Sequence, residues 1–154
     1  MGFRIRGLPA ETFAGLFSLS DESLAARGAV RVNASQEPGF PCRVSLTDAA
    51  VGEEVILVHH EHHAVASPFR SSHAMYVREG ERMFDAVDQV PAMLRSRLLS
   101  LRAFDAHGML RDADVVDGGE VETLIGRLLA DPRVAYIHIH FAKPGCYAAL
   151  AERA

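Results

Sequence analysis

Tryptophan is absent from this chain of 154 residues, lysine occurs once, at Lys143, and the only cysteines are Cys42 and Cys146. Two thiols so far apart make neither a CxxC redox pair nor a zinc ribbon, and they are too few for a disulfide framework. No apolar run approaches the roughly 18 residues that a membrane helix needs, and the opening MGFRIRGLPAETF lacks the apolar core of a secretory signal. These absences predict a cytoplasmic protein with reduced thiols and no membrane association. There is no block of like charges, and sixteen basic against twenty acidic side chains leave a formal charge of −4. A nucleic acid needs a concentrated basic face, so none is expected as a partner. The GxGxxG, P-loop, GxSxG and HExxH patterns are missing as well, which removes the strongest nucleotide, hydrolase and metalloprotease signatures.

What is present is globular: 49% hydrophobic and 23% charged residues, enough for one packed domain over residues 1–154. Phe3 to Arg6 alternates apolar and charged residues and reads as a short edge strand. LPAETFAGLF, with Pro9 at its start and Phe13, Leu16 and Phe17 at helical spacing, reads as a short helix. A second helix opens at Ser20 as N-cap and stops at Gly28. The middle is strand-rich in CRVSL, EVILVHHEHH and HAMYVRE, and SRLLSLRAFDAHG with LRDADVVD reads as a hairpin turning at His107 and Gly108. From Glu120 to Asp131, Val121, Leu124, Ile125, Leu128 and Leu129 form one apolar helical stripe. In VAYIHIHFA, residues Ala135, Ile137, Ile139 and Phe141 share one strand face and Val134, Tyr136, His138 and His140 the other. KPG turns the chain into CYAALAE as the last strand. The expected class is α+β: a mostly antiparallel sheet with a C-terminal amphipathic helix on one face and short N-terminal helices.

His138 and His140, two residues apart on one strand face, have backbones about 6.6–6.8 Å apart, close enough for both rings to reach one ion. Two ligands do not complete a site, since zinc takes three or four. The run HHEHH, residues 59–63, offers more: in a strand His60 and His62 share one face while His59, Glu61 and His63 share the other, so only one subset serves a single centre. The alternative is a set of half-buried or solvated histidines with no ligand role. Cys146 and Cys42 are candidate thiol nucleophiles, provided a base or a cation stands beside them. A two-residue turn at KPG would pair Phe141 with Ala148 and His140 with Ala149, leaving Cys146 on the face away from the histidines unless a bulge intervenes. Arg43, beside Cys42, and Arg70, in SPFRSSH, are candidate anion contacts.

The blocks PGFPCRVSLTDAAVGEEVILVHHEH, SPFRSSHAMYVRE and YIHIHFAKPGCYAALAER, in that order, resemble the bacterial family designated domain of unknown function 1203. The resemblance runs from the LPAETF segment to Arg153. Cys42 and Arg43, Glu61 and His62, Pro68 and Arg70, and His138, His140, Gly145 and Cys146 match its pattern, whereas His59, His60 and His63 are particular to this sequence. It implies a bacterial domain and no assigned activity. Three functional readings follow. The first is a pocket in which His138 and His140, with His60 or His62, bind a divalent metal or a small polar ligand. The second is a cysteine-dependent enzyme using Cys146 or Cys42. The third is a non-catalytic interaction domain, homodimeric through an exposed strand edge.

Overall fold

A computed structural model describes residues 2–154. Its strands are β1 (Phe3–Arg6), β2 (Val30–Asn33), β3 (Pro41–Cys42), β4 (Thr47–Asp48), β5 (Glu54–His63), β6 (Ser71–Val77), β7 (Asp85–Val87), β8 (Leu98–Phe104), β9 (Leu110–Asp117), β10 (Tyr136–Phe141) and β11 (Tyr147–Arg153). The helices are α1 (Asp21–Ala26), α2 (Ala92–Arg95) and α3 (Val121–Leu129). Six strands form an antiparallel sheet in the order β7-β1-β11-β10-β8-β9, and five form a second sheet, β2-β5-β6-β3-β4, with β3 and β6 parallel. No helix among the described residues is long and apolar enough to cross a membrane. The chain is α+β.

Helix α3 forms because its apolar residues recur at helical spacing, and all five of the stripe, Val121, Leu124, Ile125, Leu128 and Leu129, are buried. They pack on Leu99, Leu101, Ile137 and Ile139 of the six-stranded sheet. This helix is not C-terminal: β10 and β11 follow it, and both enter the middle of the sheet that it covers. Helix α1 starts where the Ser20 hydroxyl accepts the Ser23 amide at 3.1 Å and ends before Gly28, whose φ of +69° suits a residue without a Cβ.

Three further expectations are corrected. β1 is not an edge strand, because β7 pairs along its outer side, Ile5 opposite Ala86. The segment after Pro9 makes two separate 3-10 turns, Ala10–Thr12 and Ala14–Leu16, instead of one helix. Pro9 is extended and Gly15 favours helix poorly, so the chain settles for i to i+3 bonds such as Phe13 N to Ala10 O, 3.1 Å. CRVSL is not a continuous strand either. Leu46 has a φ of +54°, and Arg43 turns into the interior, so pairing survives only in the two-residue strands β3 and β4.

Because β10 lies at the centre of its sheet, both its faces are covered. Ile137, Ile139 and Phe141 meet the α3 layer, and the opposite face, carrying Tyr136, His138 and His140, meets β5. The pairing of β10 with β11 sets His138 opposite Leu150 and Ile139 opposite Ala149, then shifts so that His140 faces Tyr147. That bulge replaces the regular hairpin register expected from the KPG turn. It puts Tyr147 into the layer between the sheets, and Cys146 still packs on the α3 side, against the cluster containing Phe141.

Candidate metal site

Strand β10 holds His138 and His140 side by side, 6% and 1% exposed. Strand β5 brings His62 onto them from the face that carries Ile56 and Val58, and a local irregularity adds His63. His60 pairs with His73 and His63 with Ser71, so β5 carries one residue more than β6 between those pairs. The extra residue breaks the alternation, and both His62 and His63 turn toward the six-stranded sheet. One ring nitrogen from each of His62, His138 and His140 lies within 4.8 Å of the other two. A tetrahedral ion with zinc–nitrogen bonds of 2.0–2.1 Å sets its ligands roughly 3.3 Å apart, so closing on a metal draws the rings in by at most about 1.5 Å.

The hydrogen bonds separate ligand candidates from packing residues. His140 Nδ1 lies 3.0 Å from the Gly145 carbonyl. A carbonyl only accepts, so Nδ1 carries the proton and Nε2 keeps its lone pair, the orientation that a neighbouring acceptor gives to a metal-binding imidazole. His62 Nδ1 and His138 Nδ1 are buried and have no hydrogen-bond partner among the described residues. His63, by contrast, is fully engaged, Nδ1 with the Phe69 carbonyl at 2.8 Å and Nε2 with the Tyr136 hydroxyl at 2.6 Å. It backs His138 from the side, ring centroids 4.8 Å apart.

Burial, reinforced by the neighbouring imidazoles, pushes His138 down to about 2 and His62 to about 3. Burial also takes His140 to about 4, against the upward pull of the Gly145 carbonyl. All three are therefore neutral at pH 7, the form in which imidazole binds a metal. Among the described residues no Asp, Glu or Cys joins the trio.

The other sequence candidates are placed elsewhere. The His60 ring packs edge-on to Phe13 at 5.1 Å, outside the trio. The Arg70 guanidinium is taken up by Glu61, Nε to Oε2 at 2.6 Å. Cys42 is fully buried, and burial pushes its thiol up to about 12. Neither cysteine is in a disulfide. Arg43 is 2% exposed and among the described residues pairs with no carboxylate: it donates to the carbonyls of Tyr147 and Pro41, it lies 5.0 Å from the Phe141 ring centroid, and its Nη2 reaches Cys146 Sγ at 3.0 Å. Arg43 and Cys146 line a cleft of about 860 Å3 whose wall includes Arg97 and Lys143. The two cysteines thus stand apart from the histidines.

Two residues at the trio carried no signal of their own in the sequence. His73, the β6 partner of His60, stacks on His62 with centroids 5.5 Å apart and lies 5.8 Å from the His140 ring. Tyr147 stacks on the other side of His62 at 4.7 Å. Both arrive through hairpin pairings, β5 with β6 and β10 with β11, whose register shifts the sequence does not mark.

The sequence profile of the family described as "Protein of unknown function (DUF1203)" matches residues 39–153, and the chain belongs to that family. The whole histidine cluster falls inside the matched stretch. No curated protein and no solved structure matches the chain.

Proposed function

We propose that this domain binds a divalent transition metal through His62, His138 and His140, and that the ion in turn holds a small polar ligand. The supporting observation is the convergence, from two sheets, of three neutral imidazoles with two buried Nδ1 atoms that nothing among the described residues satisfies. An unpaired buried polar atom costs about 1–3 kcal/mol, and two in one cluster would be an expensive way merely to pack a core. Imidazole-only ligation suits zinc, copper, nickel or cobalt over magnesium or calcium, which prefer oxygen. Three protein ligands leave a tetrahedral ion one position for an exogenous group. The reading places the protein in the cytoplasm as a ligand-binding domain. Elemental analysis of protein purified without a polyhistidine tag tests it, with about one equivalent of metal expected, and none in His138→Ala. Metal-free protein that also fails to take up added zinc or cobalt would refute it.

A second reading, thiol chemistry at Cys146, is favoured by the Arg43 contact to its sulfur at the wall of an open cleft, since a cation beside a thiol is the general setting of reactive cysteines. Iodoacetamide modification of native protein checks it. Cys146 should be labelled while Cys42 is not, and equal protection of both would end the thiol reading.

A further inference from the structure

Beside the trio runs β8, whose register is fixed residue by residue: Arg102 lies directly opposite His138, and Ser100 directly opposite His140. Directly opposed residues project from the same sheet face with Cβ atoms about 4.5–5.5 Å apart. Ser100 and Arg102 therefore stand in a row next to two of the three ligand candidates. Both are half-buried. Among the described residues neither side chain makes a hydrogen bond, and Arg102 has no ion-pair partner, whereas most of the other arginines, Arg70, Arg78 and Arg97 among them, pair with carboxylates. Leu99, Leu101 and Ala103, on the opposite face of the same strand, are buried in the α3 layer, so β8 is turned with its polar face to the histidines.

The charges then do not balance within the protein. Three neutral imidazoles leave a bound divalent ion with its full charge, Arg102 adds another positive charge, and among the described residues no carboxylate joins the cluster. In a water-poor setting like charges repel strongly, and an anion between them adds two attractions that outweigh the one repulsion. We infer that the fourth metal position is filled by the oxyanion group of a small molecule, a carboxylate or phosphate, gripped on its outer side by Arg102 and Ser100. This rests on the tris-histidine reading above and gives that site its ligand class. A guanidinium presents paired donors to two oxygens of such a group, and a hydroxyl supplies a third. Binding is mutually reinforcing: the anion raises metal affinity by the same factor by which the metal raises anion affinity.

Cobalt serves as ion and reporter. Metal-free protein is titrated with Co2+ in a chloride buffer, and the visible absorption of the loaded protein is then followed on adding acetate or, separately, inorganic phosphate. The two arms distinguish a planar carboxylate from a tetrahedral phosphate as the preferred group. At least one is expected to change the spectrum saturably at millimolar concentration and to tighten Co2+ binding. In Arg102→Gln the Co2+ spectrum is retained while the anion affinity falls at least tenfold, as befits the loss of a charge-assisted hydrogen bond, and Arg102→Lys restores part of it. Ser100→Ala, too small a change to threaten folding, gives a lesser loss. A loaded wild-type protein whose spectrum ignores both anions, or an Arg102→Gln variant that binds them as well as wild type, overturns this inference and leaves the metal site standing. Failure of wild-type protein to bind Co2+ at all removes the metal reading, and the inference with it.

Discussion

Acid should weaken the metal-free fold through the histidine cluster, and by a calculable amount. His138 and His140 are held at about 2 and about 4, against an ordinary value of 6.5. Their folded-state pKa values are depressed, so the stability tied to their neutrality is fully present above 6.5 and drains away as the pH falls toward the folded values. At about pH 5 the unfolded chain has protonated both rings and the folded chain neither, which costs about 1.5 pH units at about 1.4 kcal/mol each, or ~2 kcal/mol per histidine and ~4 kcal/mol for the pair. His62 shifts in the same direction but is more open, so solvent screening makes its share smaller. Against a typical total of about 5–15 kcal/mol, a loss of ~4 kcal/mol is easily measured. Urea unfolding in chelator, followed by far-ultraviolet circular dichroism because the chain has no tryptophan, gives the free energy at about pH 7.5 and about pH 5. The double variant His138→Gln/His140→Gln controls for every other titrating group and should lose ~4 kcal/mol less than wild type between those pH values. A wild-type loss below about 1 kcal/mol, or an equal loss in the variant, would refute the reasoning.

Zinc at about 100 times its dissociation constant should stabilise the wild-type fold by ~2.7 kcal/mol, and thermal unfolding should show that gain kept in His60→Ala and lost in His62→Ala. Gly118→Ala should be severely destabilising, by about 3 kcal/mol or more, because its Cβ would stand 1.9 Å from the Leu94 carbonyl oxygen. On α3, Ile125→Ala should cost about 2–5 kcal/mol by opening a cavity under the helix. Its neighbour Gly126→Ala should gain up to about 1 kcal/mol in urea midpoint measurements, since a Cβ there meets nothing within 4 Å.

Local periodicity made much of this architecture legible. The stripe from Val121 to Leu129 and the alternation of Ile137 and Ile139 against His138 and His140 each depend on a few neighbouring residues, and both are found as read. What was not legible is what depends on partners far along the chain. The sequence shows that Phe3–Arg6 is a strand and not that Asp85–Val87 will pair outside it. CRVSL has strand composition, yet burying Arg43 against the Tyr147 carbonyl and Cys146 sulfur overrides it.

The candidate site divides along the same line. Reading His59–His63 as an ideal strand puts His60 and His62 on one face without saying which of them reaches β10; His60 ends on Phe13 and His62 in the trio, and the bulge against β6 turns His63 in beside it. A bulge adds one residue without a compositional mark, so nothing in HHEHH announces it. The strand LLSLRAF, in contrast, did carry a usable signal. With Leu99, Leu101 and Ala103 filling one face, a purely structural strand in the middle of a two-layered core would place apolar residues on the other face as well. Beyond Phe104, which packs on His138, Ser100 and Arg102 stand there instead, next to two histidines. Half-buried polar residues there leave β8 able to offer a hydroxyl and a guanidinium to the same layer into which β10 sends its histidines, and the proposed anion contact rests on that placement.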